Sequence, residues 1–193
     1  MIFRLLIKPF GNIWKLKALC NIEHDSFLTK VHRFLYNSYQ FEHGSAISYK
    51  ATFTGTPNLP YGIKQIIISD NAKIGKNCVI FQQVTIQDDT LPSSTSFGSP
   101  IIGDNCYIYP GAKIIGNVII GDNVQIASNA VVTYNIPSNS LVTCEEKIIR
   151  REKKIQNKYY TFTNNQWVYF DNNTSFPVED KEIIHKLQNK FQQ

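Results

Sequence analysis

Few side chains in this sequence are of the kinds that carry out chemistry. Its histidines are His24, His32, His43 and His185, and its cysteines are Cys20, Cys78, Cys106 and Cys144. No two cysteines form a Cys-x-x-Cys pair, so zinc and redox motifs are unsupported, no metal is expected, and a reduced cytoplasmic setting is the default. Asp88 and Asp89 are adjacent carboxylates. Such a pair can accept a proton from a reacting group, and it can equally serve as plain turn residues. The net charge of +5 leaves room for an anionic ligand such as a nucleotide cofactor, but it is too small to argue for nucleic acid. No apolar run is long enough to span a bilayer. The start, Met1 to Phe10, is apolar and basic without the cleavage pattern of a signal peptide. It reads as an amphipathic element, with peripheral contact to a membrane surface as the alternative.

The elements that must position any site follow from a period of six. Aliphatic residues stand at Ile68, Ile74, Ile80 and Ile86, then at Ile102, Ile108, Ile114, Ile120, Ile126 and Val132. Four residues after each comes a second inward candidate: Ala72, Cys78, Val84, Thr90, Cys106 and on to Ile136. That residue lies two before the next aliphatic, and two apart in a strand means the same face. Three residues after each aliphatic, Asn or Gly fills eight of ten places, Gln83 and Asp89 being the exceptions. Asn and Gly tolerate positive φ best, so these places are expected to be sharp corners. Neither a 3.6-residue helix nor a hairpin meander produces this pattern, whereas a β-solenoid does.

Between Ile86 and Ile102 ten extra residues interrupt the repeat, expected as a loop over 91–100 thrown out from one corner. Once that loop is subtracted, Cys106 falls one coil above Cys78, where two stacked thiols act as small hydrophobes. The organisation is then an N-terminal helical segment (1–44), a solenoid (45–143) and an extension (144–193). The first segment contains helical spacing from Asp25 to Phe41, capped by Asp25 or Ser26. A weaker first coil runs through Ala46 to Ala51. The extension carries a hairpin, Tyr159 to Phe162 and Trp167 to Phe170 around Thr163-Asn164-Asn165-Gln166, and a short helix within Val178 to Phe191. Both flanks are expected to cap the open ends of the solenoid.

The runs Ile74-Gly75-Lys76-Asn77-Cys78, Ile102-Gly103-Asp104-Asn105-Cys106 and Ile120-Gly121-Asp122-Asn123-Val124 resemble the hexapeptide repeat of left-handed β-helix acyltransferases. Over about residues 45–150 the chain is similar to serine acetyltransferases. It is more closely similar to their relatives that O-acetylate sugars in surface-polysaccharide biosynthesis. The resemblance implies an all-β-dominated, left-handed parallel β-helix that assembles as a homotrimer. It implies acetyl-CoA as the acyl donor and a hydroxylated sugar or glycan as the acceptor. Backbone at Gly111-Ala112-Lys113 would bind the pantetheine arm, with Lys147 near the nucleotide end. The family's general-base histidine aligns with Tyr61, in Leu59-Pro60-Tyr61-Gly62, and Asp88 is the alternative carboxylate. The family's second histidine position reads Gly98-Ser99-Pro100, and Gln82 and Gln83 stand where some relatives carry histidine. These departures keep open a non-catalytic solenoid that binds a ligand or partner, and they count against serine as the acceptor.

Overall fold

A computed structural model describes residues 7–22, 26–144, 148–150, 158–172 and 174–191. The repeat folds as a parallel β-helix with three sheets. Sheet A stacks Ala46–Ile47, Ile67–Ile68, Thr85–Gln87, Lys113–Ile115 and Val131–Val132. Sheet B stacks Thr52–Phe53, Lys73–Ile74, Ile101–Ile102 and Ile119–Ile120. Sheet C stacks Val79–Ile80, Tyr107–Ile108, Gln125–Ile126 and Ser140–Val142. Strands of two or three residues persist because each bonds to the coils above and below. In sheet A, Ile67 N–H meets Val84 O at 2.9 Å, Thr85 N–H meets Ala112 O at 3.0 Å, and Lys113 N–H meets Ala130 O at 2.8 Å.

The predicted core is the core. The ten Ile/Val positions are at most 2% exposed, as are Ala72, Cys78, Val84, Cys106, Ala112, Val118, Val124, Ala130 and Ile136. Thr90 is the departure. It lies exposed in the insertion, and Pro100, two before Ile102, is buried in its place. The loop is therefore pinned earlier than its expected span, by Asp89 N–H to Gly98 O at 2.8 Å and Gly98 N–H to Asp89 O at 2.9 Å. Cys78 and Cys106 are buried, free thiols. Their Sγ atoms lie 3.3 Å and 3.2 Å from the carbonyls of Gly103 and Gly121.

The corners are not all alike. At the B-to-C corner Asn77, Asn105 and Asn123 have φ of 56°, 57° and 56°. At the C-to-A corner Gln83, Gly111 and Asn129 have φ of 64°, 74° and 60°. Gln83, which breaks the Asn/Gly pattern, still turns left-handed. At the A-to-B corner Asn71, Asp89, Asn117 and Asn135 do not, contrary to expectation. Their side chains are used differently there: Asn135 Oδ1 accepts Ile119 N–H at 2.8 Å, and Asn71 Nδ2 donates to Asp88 at 3.0 Å. This corner carries the inserted loop.

Two helices close the lower end. Helix α1 (Ile13–Cys20) and helix α2 (Phe27–Glu42) pack around Leu16, Cys20 and Tyr36. Ser26 is the cap of α2, its hydroxyl accepting Thr29 N–H at 3.2 Å; Asp25 lies outside the described residues, as do Met1 to Leu6. The first strand has no coil beneath it, so its backbone needs other partners. Tyr36 Oη donates to Ile47 O at 2.9 Å, and Gln40 accepts Ile47 N–H. Lys17 Nζ donates to the carbonyls of Tyr49 and Ala51 at 3.0 and 2.6 Å.

At the other end Ile148–Arg150 pairs antiparallel with Ser140–Val142 and closes the edge of sheet C. The hairpin is not an end cap, which corrects the expectation. Strands Tyr159–Thr163 and Gln166–Asp171 join through Asn164-Asn165, with φ of 50° and 59°, as a two-residue hairpin turn requires. A third strand, Thr174–Pro177, adds to Gln166–Asp171, and helix α3 (Lys181–Phe191) follows. The hairpin lies along the side of the solenoid. Tyr159 packs 6.2 Å from Phe81, and Asn172 N–H reaches Asn77 Oδ1 at 3.3 Å.

Candidate active site

The residues singled out from sequence divide between two corners. Tyr61, Gln82, Gly111 and Ala112 belong to the C-to-A corner, in successive coils. Asp88 belongs to the A-to-B corner.

Asn58 pairs with Val79 and Ile67 with Thr85, so the lowest C-to-A corner is three residues longer than the corner above it. This short insertion, which the repeat count did not register, pushes Tyr61 outward to 57% exposure. From Tyr61 an aromatic strip climbs the outer face of sheet C. The Tyr61 and Phe81 rings are 6.0 Å apart, Phe81 and Tyr109 stack at 6.0 Å, and Tyr107 and Tyr109 meet at 4.7 Å. Tyr109 leads directly into Pro110-Gly111. The strip thus connects the exposed phenol to the Gly111 corner. Burial pushes the Tyr107 phenol well above its ordinary value, with the neighbouring phenols Tyr109, Tyr159 and Tyr61 adding to the rise.

At that corner Gly111 is required for two reasons. Its φ is 74°, and a Cβ there would lie 2.1 Å from Asn129 Oδ1 in the next coil. Gly111 N–H donates to Gln82 O at 3.2 Å, Ala112 N–H donates to Tyr109 O at 3.3 Å, and Ala112 O accepts Thr85 N–H at 3.0 Å. The Ala112 side chain is fully buried, and these backbone groups are already engaged within the solenoid. Lys113 is exposed on sheet A. Lys147 lies outside the described residues. One coil below, in register with Pro110, Gln82 Oε1 is buried with no hydrogen-bond partner among the described residues. Leaving such a group unmet costs about 1–3 kcal/mol. The sequence named Gln82 only as a substitute for histidine, and nothing local distinguished it.

Asp88 is already engaged. Ser69 Oγ donates to its Oδ1 at 2.5 Å, Asn71 Nδ2 donates to its Oδ2 at 3.0 Å, and its own N–H reaches Ser69 Oγ at 3.0 Å. It fastens two coils at the foot of the loop. Asp89 holds the loop itself: hydrogen bonds from Ser94, Ser96 and the Leu91 N–H keep its carboxyl below the usual range. Beside this foot lies a groove of about 450 Å³ lined by Lys50, Asp70, Lys73 and Ser99. Lys50 Nζ and Asp70 Oδ2 pair at 3.1 Å there. Sheet A separates this groove from Tyr61 within one chain. His43 is tied to its own helix, its Nδ1 lying 2.8 Å from Tyr39 O. Among the described residues no three His, Cys, Asp or Glu side chains are grouped to hold a metal ion.

Residues 99–134 match the family described as bacterial transferase hexapeptide (six repeats). No curated protein matches the chain. Among solved structures, the serine acetyltransferase of Neisseria gonorrhoeae superposes with a TM-score of 0.59 at 23% identity over 77% of this chain. Isoform 3 of the Entamoeba histolytica enzyme, in complex with cysteine, gives 0.56 at 26% identity over 73%. A serine acetyltransferase in complex with CoA gives 0.58 at 18% identity over 72%. The chain spans about half the length of these proteins: 54%, 48% and 55%. The shared architecture is the left-handed parallel β-helix. The chain is thus similar to these proteins in its fold, and over residues 99–134 in its hexapeptide repeat.

Proposed function

We propose that this protein is an O-acetyltransferase that moves the acetyl group of acetyl-CoA onto a hydroxyl of a sugar or surface glycan. The observation that carries the reading is the C-to-A corner, where the Tyr61 phenol, Gln82 Oε1 and the Gly111 backbone occupy successive coils of an acyltransferase fold. The acceptor oxygen attacks the thioester carbonyl, the new C–O bond forms as the C–S bond breaks, and the CoA thiolate departs. The acceptor proton needs a nearby base. Tyr61 is the exposed group in that position, and Asp88 is occupied at the other corner.

The loop and its groove stand at the A-to-B corner, away from Tyr61. A site that uses both therefore needs a second copy, and this supports a homotrimer with its clefts between protomers. Ile101 and Ile119 on sheet B and Ile67 and Val131 on sheet A, each at least 40% exposed, supply apolar surface for that assembly. Free thiols at Cys20, Cys78, Cys106 and Cys144 support a reducing, cytoplasmic setting. No described helix is long and apolar enough to cross a membrane.

The structural relatives named as serine acetyltransferases favour serine as the acceptor, so the test must include it. Titration of the purified protein with acetyl-CoA by calorimetry should give micromolar binding near one site per chain. Acetyl transfer is then followed with glycosides and with L-serine in parallel. Absence of binding at millimolar acetyl-CoA would remove the acyltransferase reading and leave a solenoid scaffold.

A further inference from the structure

The four most exposed large apolar side chains among the described residues are all on helix α2: Phe41 at 87%, Phe27 at 80%, Leu28 at 65% and Phe34 at 64%. Phe27, Phe34 and Phe41 are seven apart, so at 3.6 residues per turn they drift by only about 20° per step and form one stripe. The buried residues of α2, Thr29, Tyr36 and Gln40, lie on the opposite side. That side holds the first coil through Tyr36 and Gln40, so the stripe faces away from the solenoid. A contiguous apolar strip in water marks an interaction surface.

Size and charge say what covers it. The helix has 16 residues, about 24 Å, and one of its faces is about 10 Å wide, so the stripe offers on the order of 250 Å². A stable protein interface buries about 800 Å² per partner, and the stripe falls well short of holding a second copy. A bilayer sets no such minimum, because each inserted side chain adds to the partition. Residues 1–44 carry six Lys and Arg against three Asp and Glu, more than half of the chain's net charge of +5 on under a quarter of its length. Lys8, Lys15 and Lys30 are exposed, and Lys30 stands one turn from both Phe27 and Phe34 at the edge of the stripe. Glu42, the acid of this helix, is its last residue.

We propose that the Phe27–Phe34–Phe41 stripe inserts into the headgroup region of an anionic lipid bilayer, with α2 lying in the plane of the surface. This surface is separate from Met1 to Phe10, where the sequence raises membrane contact, and the proposal does not depend on the acetyltransferase reading. The full chain is sedimented with vesicles of equal parts phosphatidylglycerol and phosphatidylcholine, and with vesicles of phosphatidylcholine alone. Binding to the anionic vesicles is expected, weakening as salt is raised, with less on phosphatidylcholine. The double variant Phe27→Ser/Phe41→Ser should weaken binding roughly tenfold or more, and Phe27→Leu/Phe41→Leu should keep it. The emission that Phe41→Trp adds to the wild-type spectrum should shift to the blue on vesicles and be quenched by brominated lipid, which reads insertion even where the serine variant folds poorly. Light scattering should give the same mass for wild type and serine variant. Absence of binding to anionic vesicles, binding undiminished in a folded serine variant, or added emission that neither shifts nor is quenched would each overturn the proposal. A wild-type mass that falls in the serine variant would assign the stripe to a second copy and overturn it too.

Discussion

Asp122 Oδ1 accepts the backbone N–H of Asp104, one coil away, at 2.7 Å, across the space that Gly103 leaves by having no side chain. The arrangement repeats along the solenoid. Asp104 Oδ1 takes Lys76 N–H at 2.9 Å beside Gly75, and Ser138 Oγ takes Asp122 N–H at 2.9 Å beside Gly121. The Gly-Asp pair of the repeat is thus one device: the glycine of one coil makes room for the acceptor of the next.

Gly103→Ala tests this. Its Cβ would lie 2.4 Å from Asp122 Oδ1 and 2.8 Å from the Gly121 carbonyl carbon, so side chain and backbone would both have to move. A loss of about 1–3 kcal/mol is expected in urea unfolding. Asp122→Ala should cost about 1 kcal/mol. Equal stability of Gly103→Ala and wild type would mean that the coils are not tightly spaced at this column.

The lower cap gives a second prediction. Tyr36 is 1% exposed and donates to the Ile47 carbonyl, and burial pushes its phenol well above the ordinary range. Tyr36→Phe removes the donor and leaves a buried carbonyl unmet, at about 1–2 kcal/mol. Thermal unfolding should fall accordingly, and hydrogen exchange at the first coil should quicken before that of the upper coils.

The inserted loop should respond to acid. The Asp89 carboxyl is held low by hydrogen bonds from Ser94, Ser96 and the Leu91 N–H. A depressed folded value means the contribution is whole above the unfolded value near 3.9 and is lost as pH falls through the lower folded one. Limited proteolysis within 90–97 by an acid-active protease should therefore accelerate only at strongly acidic pH. Asp89→Asn should show the faster cutting at neutral pH as well. A loop equally resistant in both proteins would show that the Asp89–Gly98 backbone pair alone closes it.

Chemistry at Tyr61 can be tested by gain. Tyr61→His places an imidazole at the exposed corner and should raise kcat on the order of tenfold or more, with a pH profile that follows imidazole ionisation. An unchanged rate and profile, from a measurable wild-type activity, would show that position 61 does not take the acceptor proton.

The inward residues and the place of the ten-residue insertion were legible because a solenoid repeats one local rule. Each hexad must bury two side chains and turn, so Ile, a small residue and a turning residue recur at fixed spacing whatever lies far away. Ser26 as a cap, the turn at Asn164-Asn165 and the final helix are local in the same sense. Where contacts came from distant chain, the sequence was mute. Thr90 and Pro100 both fit the small inward position, and only the stacking of Pro100 O on Lys73 N–H, at 3.0 Å, chose between them. The hairpin carries its own turn signal but no mark of where it docks, which was decided by Phe81 and Asn77, far earlier in the chain. Asp88 looked available as a base until Ser69 and Asn71, one coil below, were seen to occupy its oxygens. The aromatic strip is the same kind of fact. Tyr61, Phe81 and Tyr109 are twenty or more residues apart in sequence and become neighbours only because each coil returns the chain to the same edge. The sequence by itself determined the repeat, its core and its fold class; the stacking of coils decided which side chains meet, because contacts between coils are set by the helical return of the chain and not by any local preference.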